Sequence, residues 1–177
     1  MSEQVLDYNH KKRAKTPHNI FNMNIIVFHL FALVILFELN LLHWFWLIPT
    51  VSLSIMLAQY LYWKSLLSDA ESSNQSHWYV IANWSLAIRH NKIVFMAYLI
   101  CGTIFLIGYS ISNGMTDDPN MSNIGMIVFL YLSGNLMLLT LVVTFVLSSG
   151  AIWHTNKGEI TNALAKIRVG LNRQNIT

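Results

Sequence analysis

Of the seven histidines in this 177-residue chain, His29 sits deepest inside a long apolar run, where an ionisable group is costly and usually functional. An imidazole there can carry a proton, hold a ligand, or hydrogen-bond a hydroxyl on a neighbouring helix. Counting equal depth along antiparallel neighbours brings Ser54, Cys101 to Thr103 and Thr140 level with it. No carboxylate stands at that depth, so a proton relay is disfavoured and a structural hydrogen bond to a hydroxyl is expected. A second intramembrane polar group is Asn135, within Ser133-Gly134-Asn135. Asparagine bonds strongly between helices, and such contacts contribute about 1–2 kcal/mol in model peptides. Ser54, Asn135 and Thr140 are therefore expected to join helices.

Haem chemistry needs two axial ligands on different helices at matching depth. His90 and His154 meet that condition, each lying just beyond the end of an apolar run. They form the candidate cofactor pair, with haem b as the group they would hold. The default expectation is no cofactor. Met56, Met96 and Met137 supply softer donors, although methionine also fills irregular gaps. The one cysteine, Cys101, can form neither an internal disulfide nor a thiolate metal site. No zincin motif, nucleophile elbow, phosphate-binding glycine loop or facing carboxylate pair is present. No motif ties the chain to a known family.

These residues must be positioned by elements that suit a bilayer. Residues of the AVILMFWYC set make up 54% of the chain and charged residues only 11%, against about 25% charged in soluble domains. Mean hydropathy is +0.46. Soluble enzymes, disordered tails and nucleic-acid modules are poor fits. Apolar runs cover residues 20–37, 44–63, 93–111 and 124–147, each long enough to cross hydrocarbon as a helix. Backbone polar groups must be paired internally there, so helices are required. The expected fold is an all-α integral membrane protein, a four-transmembrane-helix bundle within residues 20–149.

Orientation follows from charge. The eleven Lys and Arg residues fall in the basic arm 1–19, the connector 64–92 and the tail 150–177. The loops near Glu38 to His43 and Ser112 to Ser122 hold none. That asymmetry predicts both termini and the connector in the cytoplasm, in a bacterial inner membrane. The first run has no cleavage pattern and reads as an uncleaved anchor. In the connector, residues 65–76 are a polar linker. Residues 77–92 form either a juxtamembrane helix on the cytoplasmic interface or an extension of the third span. As a helix they place Val80, Trp84, Ala87 and Ile88 opposite Ser85, Arg89 and Lys92. In the tail, Ile160, Leu164, Ile167 and Leu171 recur at helical spacing, flanked by Lys166 and Arg168. This predicts a C-terminal amphipathic helix on the inner surface or under the bundle.

The leading functional expectation is a small non-enzymatic membrane protein, acting as an accessory, assembly or envelope-homeostasis factor. Its expected partners are an anionic inner leaflet and a protein bound through 64–92 and 155–177, with no nucleic acid; a homo-oligomer is a further expectation. The runner-up is a haem- or quinone-binding anchor of a redox complex, and the third reading is an oligomeric transporter or channel subunit.

Overall fold

The computed structural model describes residues 8–70, 78–114 and 119–167, and these are almost wholly helical, with no strand among them. Helix α1 (Tyr8–Asn24) runs through a π-helical turn (Ile25–Phe31) into α2 (Ala32–Glu38). A short 3-10 turn (Leu42–Trp44) leads into α3 (Leu47–Ala70). Two long helices follow, α4 (Trp78–Gly114) and α5 (Pro119–Lys157). The predicted linker residues 71–76, together with His77, Asp117, Asp118, Arg168 and Leu171, lie outside the described residues.

Among the described residues, three stretches are long and apolar enough to cross a membrane: Tyr8–Glu38, Trp78–Ser112 and Asn120–Lys157. Helix α3 coincides with most of the remaining predicted run, but Thr50, Ser52, Ser54 and Gln59 dilute its apolar character. Helix ends have specific causes. Asn40 adopts a left-handed conformation (φ 55°), and the amides of Asn40 and Leu41 close onto the carbonyls of Phe37 and Leu36. Gly158 (φ 75°) does the same for α5, with Glu159 N–H bonding His154 O at 3.0 Å. Both are Schellman endings, which need a residue tolerant of positive φ.

The chain divides into two compact units. The first comprises residues 1–91 and 145–177. Its apolar core joins Ala14 of α1 to Tyr79, Val80, Ala82 and Trp84 of α4 and to Leu164 and Ile167 of the tail. Along α1 and the turn after it, Ala14, Pro17, His18, Phe21, Asn24 and Ile25 are buried, a face repeating at three and four residues. Hydrogen bonds fix α3 antiparallel to α1, because Gln59 Nε2 donates to Pro17 O and Asn24 Nδ2 donates to Ser52 Oγ. The second unit, residues 92–144, holds the C-terminal part of α4 and the N-terminal part of α5. There Gly108 lies against the Phe129 ring with no room for a Cβ.

Of the two alternatives for residues 77–92, the extension matches the structure: α4 is unbroken from Trp78 to Gly114, so residues 78–92 continue into the third apolar run rather than forming a separate juxtamembrane helix. Along its first half Val80, Trp84, Ala87 and Ile88 are buried and Arg89 and Lys92 exposed, as the spacing predicts, but Ser85 is buried rather than exposed. Asn83, Ser85, His90 and Asn91 are buried along with Tyr79, Val80 and Ile88, because neighbouring helices supply polar partners. In the tail, helix begins only at residue 162, where Leu164 N–H reaches Thr161 Oγ1 at 3.4 Å. Ile160 precedes that start and is 54% exposed, whereas Leu164 is 2% exposed.

Candidate functional site

The first unit contains a belt of buried and half-buried polar side chains. Gln59 Nε2 donates to Pro17 O at 2.9 Å, and its Oε1 accepts from Asn91 Nδ2 at 2.8 Å. Thr155 Oγ1 lies 3.0 Å from Asn83 Oδ1. Trp63 Nε1 donates to Ser85 Oγ at 2.9 Å. Asn22 Nδ2 donates to Ser149 Oγ at 3.1 Å. Each contact joins different helices, so α1, α3, α4 and the end of α5 are cross-linked. A satisfied buried hydrogen bond contributes roughly 1 kcal/mol.

At the centre stand two histidines. His18 is fully buried on α1, and its ring centroid lies 5.9 Å from that of His90 on α4. Phe21 also packs on His90, again at 5.9 Å. Ser148 Oγ sits 3.3 Å from His18 Nδ1. The opposite nitrogen, His18 Nε2, has no hydrogen-bond partner, and neither do His90 Nδ1 and Asn91 Oδ1. Unpaired buried polar atoms are uncommon and costly. This cluster can hydrogen-bond a small guest or water. No group of three metal-ligating side chains occurs among the described residues.

The expected pairing of His90 with His154 does not form. His154 is a surface residue whose Nδ1 lies 2.6 Å from Glu159 Oε2, beyond the end of α5. His90 instead faces His18, a residue that sequence reading assigned to the basic arm. The signal was the burial face of α1, in which His18 and Asn24 occupy positions otherwise held by Ala14, Phe21 and Ile25. Hydropathy discards such a face because it counts histidine and asparagine as solvent-facing.

The midspan residues are also placed differently from expectation. Asn135 is exposed and donates to Tyr131 O of its own helix at 2.9 Å. Ser54 donates to Thr50 O, and Thr140 to Leu136 O. Each side-chain donor bonds one turn back rather than across, as hydroxyls and amides commonly do in helices. His29 lies in the π-helical turn with Nδ1 3.4 Å from Asn24 O. Near α5's end, Glu159 has its acidity strengthened chiefly by the His154 hydrogen bond, with the Lys157 charge adding. Met56 is buried and Met96 exposed.

A groove of about 370 Å³ runs between α1, α3 and α4. Among the described residues of its lining Arg13 is the charged one, and Ile20, Ile55 and Trp84 are among the apolar ones. No protein-family model, curated protein or solved structure matches this chain.

Proposed function

We propose that this chain is a four-span bacterial inner-membrane protein with both termini in the cytoplasm, acting as a non-enzymatic accessory or assembly factor. Its fourth span is α3, whose polar residues Ser52 and Gln59 are matched by Asn24, Pro17 and Asn91. The absence of Lys and Arg near residues 38–43 and 112–122 supports the orientation. The observation that carries the accessory reading is Asn135. Its amide is exposed halfway along α5, among exposed Leu132, Leu138 and Leu139. Lipid tails leave such an amide poorly satisfied, whereas a partner helix covers it.

A photo-crosslinking residue at Leu139, compared with one at Leu106 in cells, tests this reading. A discrete adduct with a different membrane polypeptide at Leu139, lost in Asn135→Leu, is expected. Adducts only with a second copy would favour the oligomeric transporter, and lipid adducts alone would remove the accessory role. Reporter fusions after Asn40 and Asp118 should be active outside, and those after Ser73 and Thr177 inside. A haem anchor, transferred to His18 and His90, has less support, because the two rings are 0% and 6% exposed and neither lines the groove. A Soret band in the purified protein, lost in His90→Ala, would reverse that ranking.

A further inference from the structure

We propose that the groove bounded by α1, α3 and α4 is a specific site for one anionic phospholipid, with an acyl chain along its length and the phosphate on Arg13. The reading rests on the membrane placement proposed above. Helices α1 and α3 are antiparallel, so their lining residues define a direction. At one end stand Arg13 and Leu66, and at the other Ile20 and Ile55. The first end lies beside Lys11, Lys12 and Lys15, and the second lies within the apolar runs. Arg13 to Ile20 is a rise of about 10 Å and Ile55 to Leu66 about 16 Å. A headgroup at the basic end therefore leaves a channel of chain-like length leading toward hydrocarbon.

The walls suit that occupant. Val80 and Trp84 of α4 form the side facing α3, and Trp84 packs on Tyr62 at a centroid distance of 4.7 Å. Aromatic rings of this kind are favoured at the interface between headgroups and tails. Two of the polar lining residues are already engaged, since Gln59 bonds Pro17 O and Asn91 and Thr16 Oγ1 donates to Lys12 O, and Tyr62 adds only a neutral phenol. That leaves Arg13 to recognise charge. Both ion pairs among the described residues involve Glu159, and neither engages Arg13. A guanidinium at the mouth of an apolar channel complements a phosphodiester bidentately. A zwitterionic headgroup brings its own cation to the same place and gains less.

The test uses the full chain in neutral detergent with dioleoyl phosphatidylglycerol, dioleoyl phosphatidylcholine and glycerol phosphate as probes. Native mass spectrometry and thermal shift should show saturable binding of one phosphatidylglycerol per chain, in preference to phosphatidylcholine, with glycerol phosphate ineffective. Arg13→Gln should weaken binding about tenfold, and Ala58→Phe, which fills the groove from α3, should abolish it. Lys12→Gln, outside the lining, should weaken it clearly less than Arg13→Gln. Each variant is compared with wild type by helical content and lipid-free melting, so misfolding is read separately. Equal binding of both lipids, equal weakening by Lys12→Gln, or displacement by glycerol phosphate overturns the site. Binding in detergent does not depend on orientation, so inverted reporter fusions would overturn the topology and leave this result standing.

Discussion

At the scale of single residues, the buried belt stakes most on Gln59. It receives one hydrogen bond from Asn91 and gives another to Pro17 O, and it is 4% exposed. Gln59→Leu strips Asn91 Nδ2 of its partner where water cannot replace it, which should cost about 1–3 kcal/mol. Titration of folded protein with SDS will measure this. Thr50→Val, on an exposed hydroxyl bonded to its own helix, should shift the same curve by less than about 0.5 kcal/mol. The double change Gln59→Leu/Asn91→Leu should recover part of the loss, since no donor is then stranded. If the double variant is worse than the sum of the singles, the pair is not the unit described. Of these residues the sequence made His29, His90 and Asn135 visible as polar groups in or beside apolar runs. It could not pair them. Pairing depends on rotation about each helix axis, and the π-helical turn Ile25–Phe31 changes that rotation within the first span.

At the scale of elements, hydropathy located the apolar runs well, because a bilayer imposes length and composition directly. Boundaries were less legible. Helix α4 begins at Trp78, well before the apolar run at Ile93, because its polar residues meet partners and need no water. Close approach of α4 to α5 in the second unit depends on Gly108. A methyl group there runs into the Cβ and ring of Phe129. Gly108→Ala should destabilise the protein by about 1–3 kcal/mol, and Gly108→Ala/Phe129→Ala should be milder than additivity predicts. Gly102, with nothing within 4 Å of an added Cβ, provides the control. Gly102→Ala should be neutral or stabilising, since alanine favours helix. Equal losses at both glycines would refute the contact as the cause.

At the scale of the whole molecule, the tail belongs to the same core as the N-terminal helix. Leu164 and Ile167 pack with Ala14 and Tyr79, and the turn leading to them carries the His154–Glu159 pair. Leu164→Ser/Ile167→Ser should release this segment, seen as faster tryptic cleavage at Lys157 and Lys166 with the membrane helices still inserted. Glu159→Gln should loosen it less. The acidity of Glu159 is strengthened in the folded protein. Its contribution is therefore complete above the ordinary carboxylate range and is lost as pH falls through the lowered value. Hydrogen exchange of residues 159–167, corrected for its intrinsic pH dependence, should rise on acidification in wild type and change less in Glu159→Gln. Identical profiles would remove the pair from the account. The tail's periodicity was readable as Leu164 and Ile167, yet sequence alone placed Ile160 with them, because nothing in a spacing pattern shows that Thr161 starts the helix.

The bonds that cross the chain carry a consequence for biosynthesis. His18, Asn22 and Asn83 find their partners in Ser148, Ser149 and Thr155. A ribosome adding about 5–20 residues per second reaches those serines on the order of ten seconds after His18. Throughout that interval the first helix sits in or beside the insertion machinery with an imidazole and an amide lacking their final partners. The finished protein is thus sealed by the end of α5, and a chain stopped before residue 148 would display those unmet groups to whatever surveys the membrane for incomplete products.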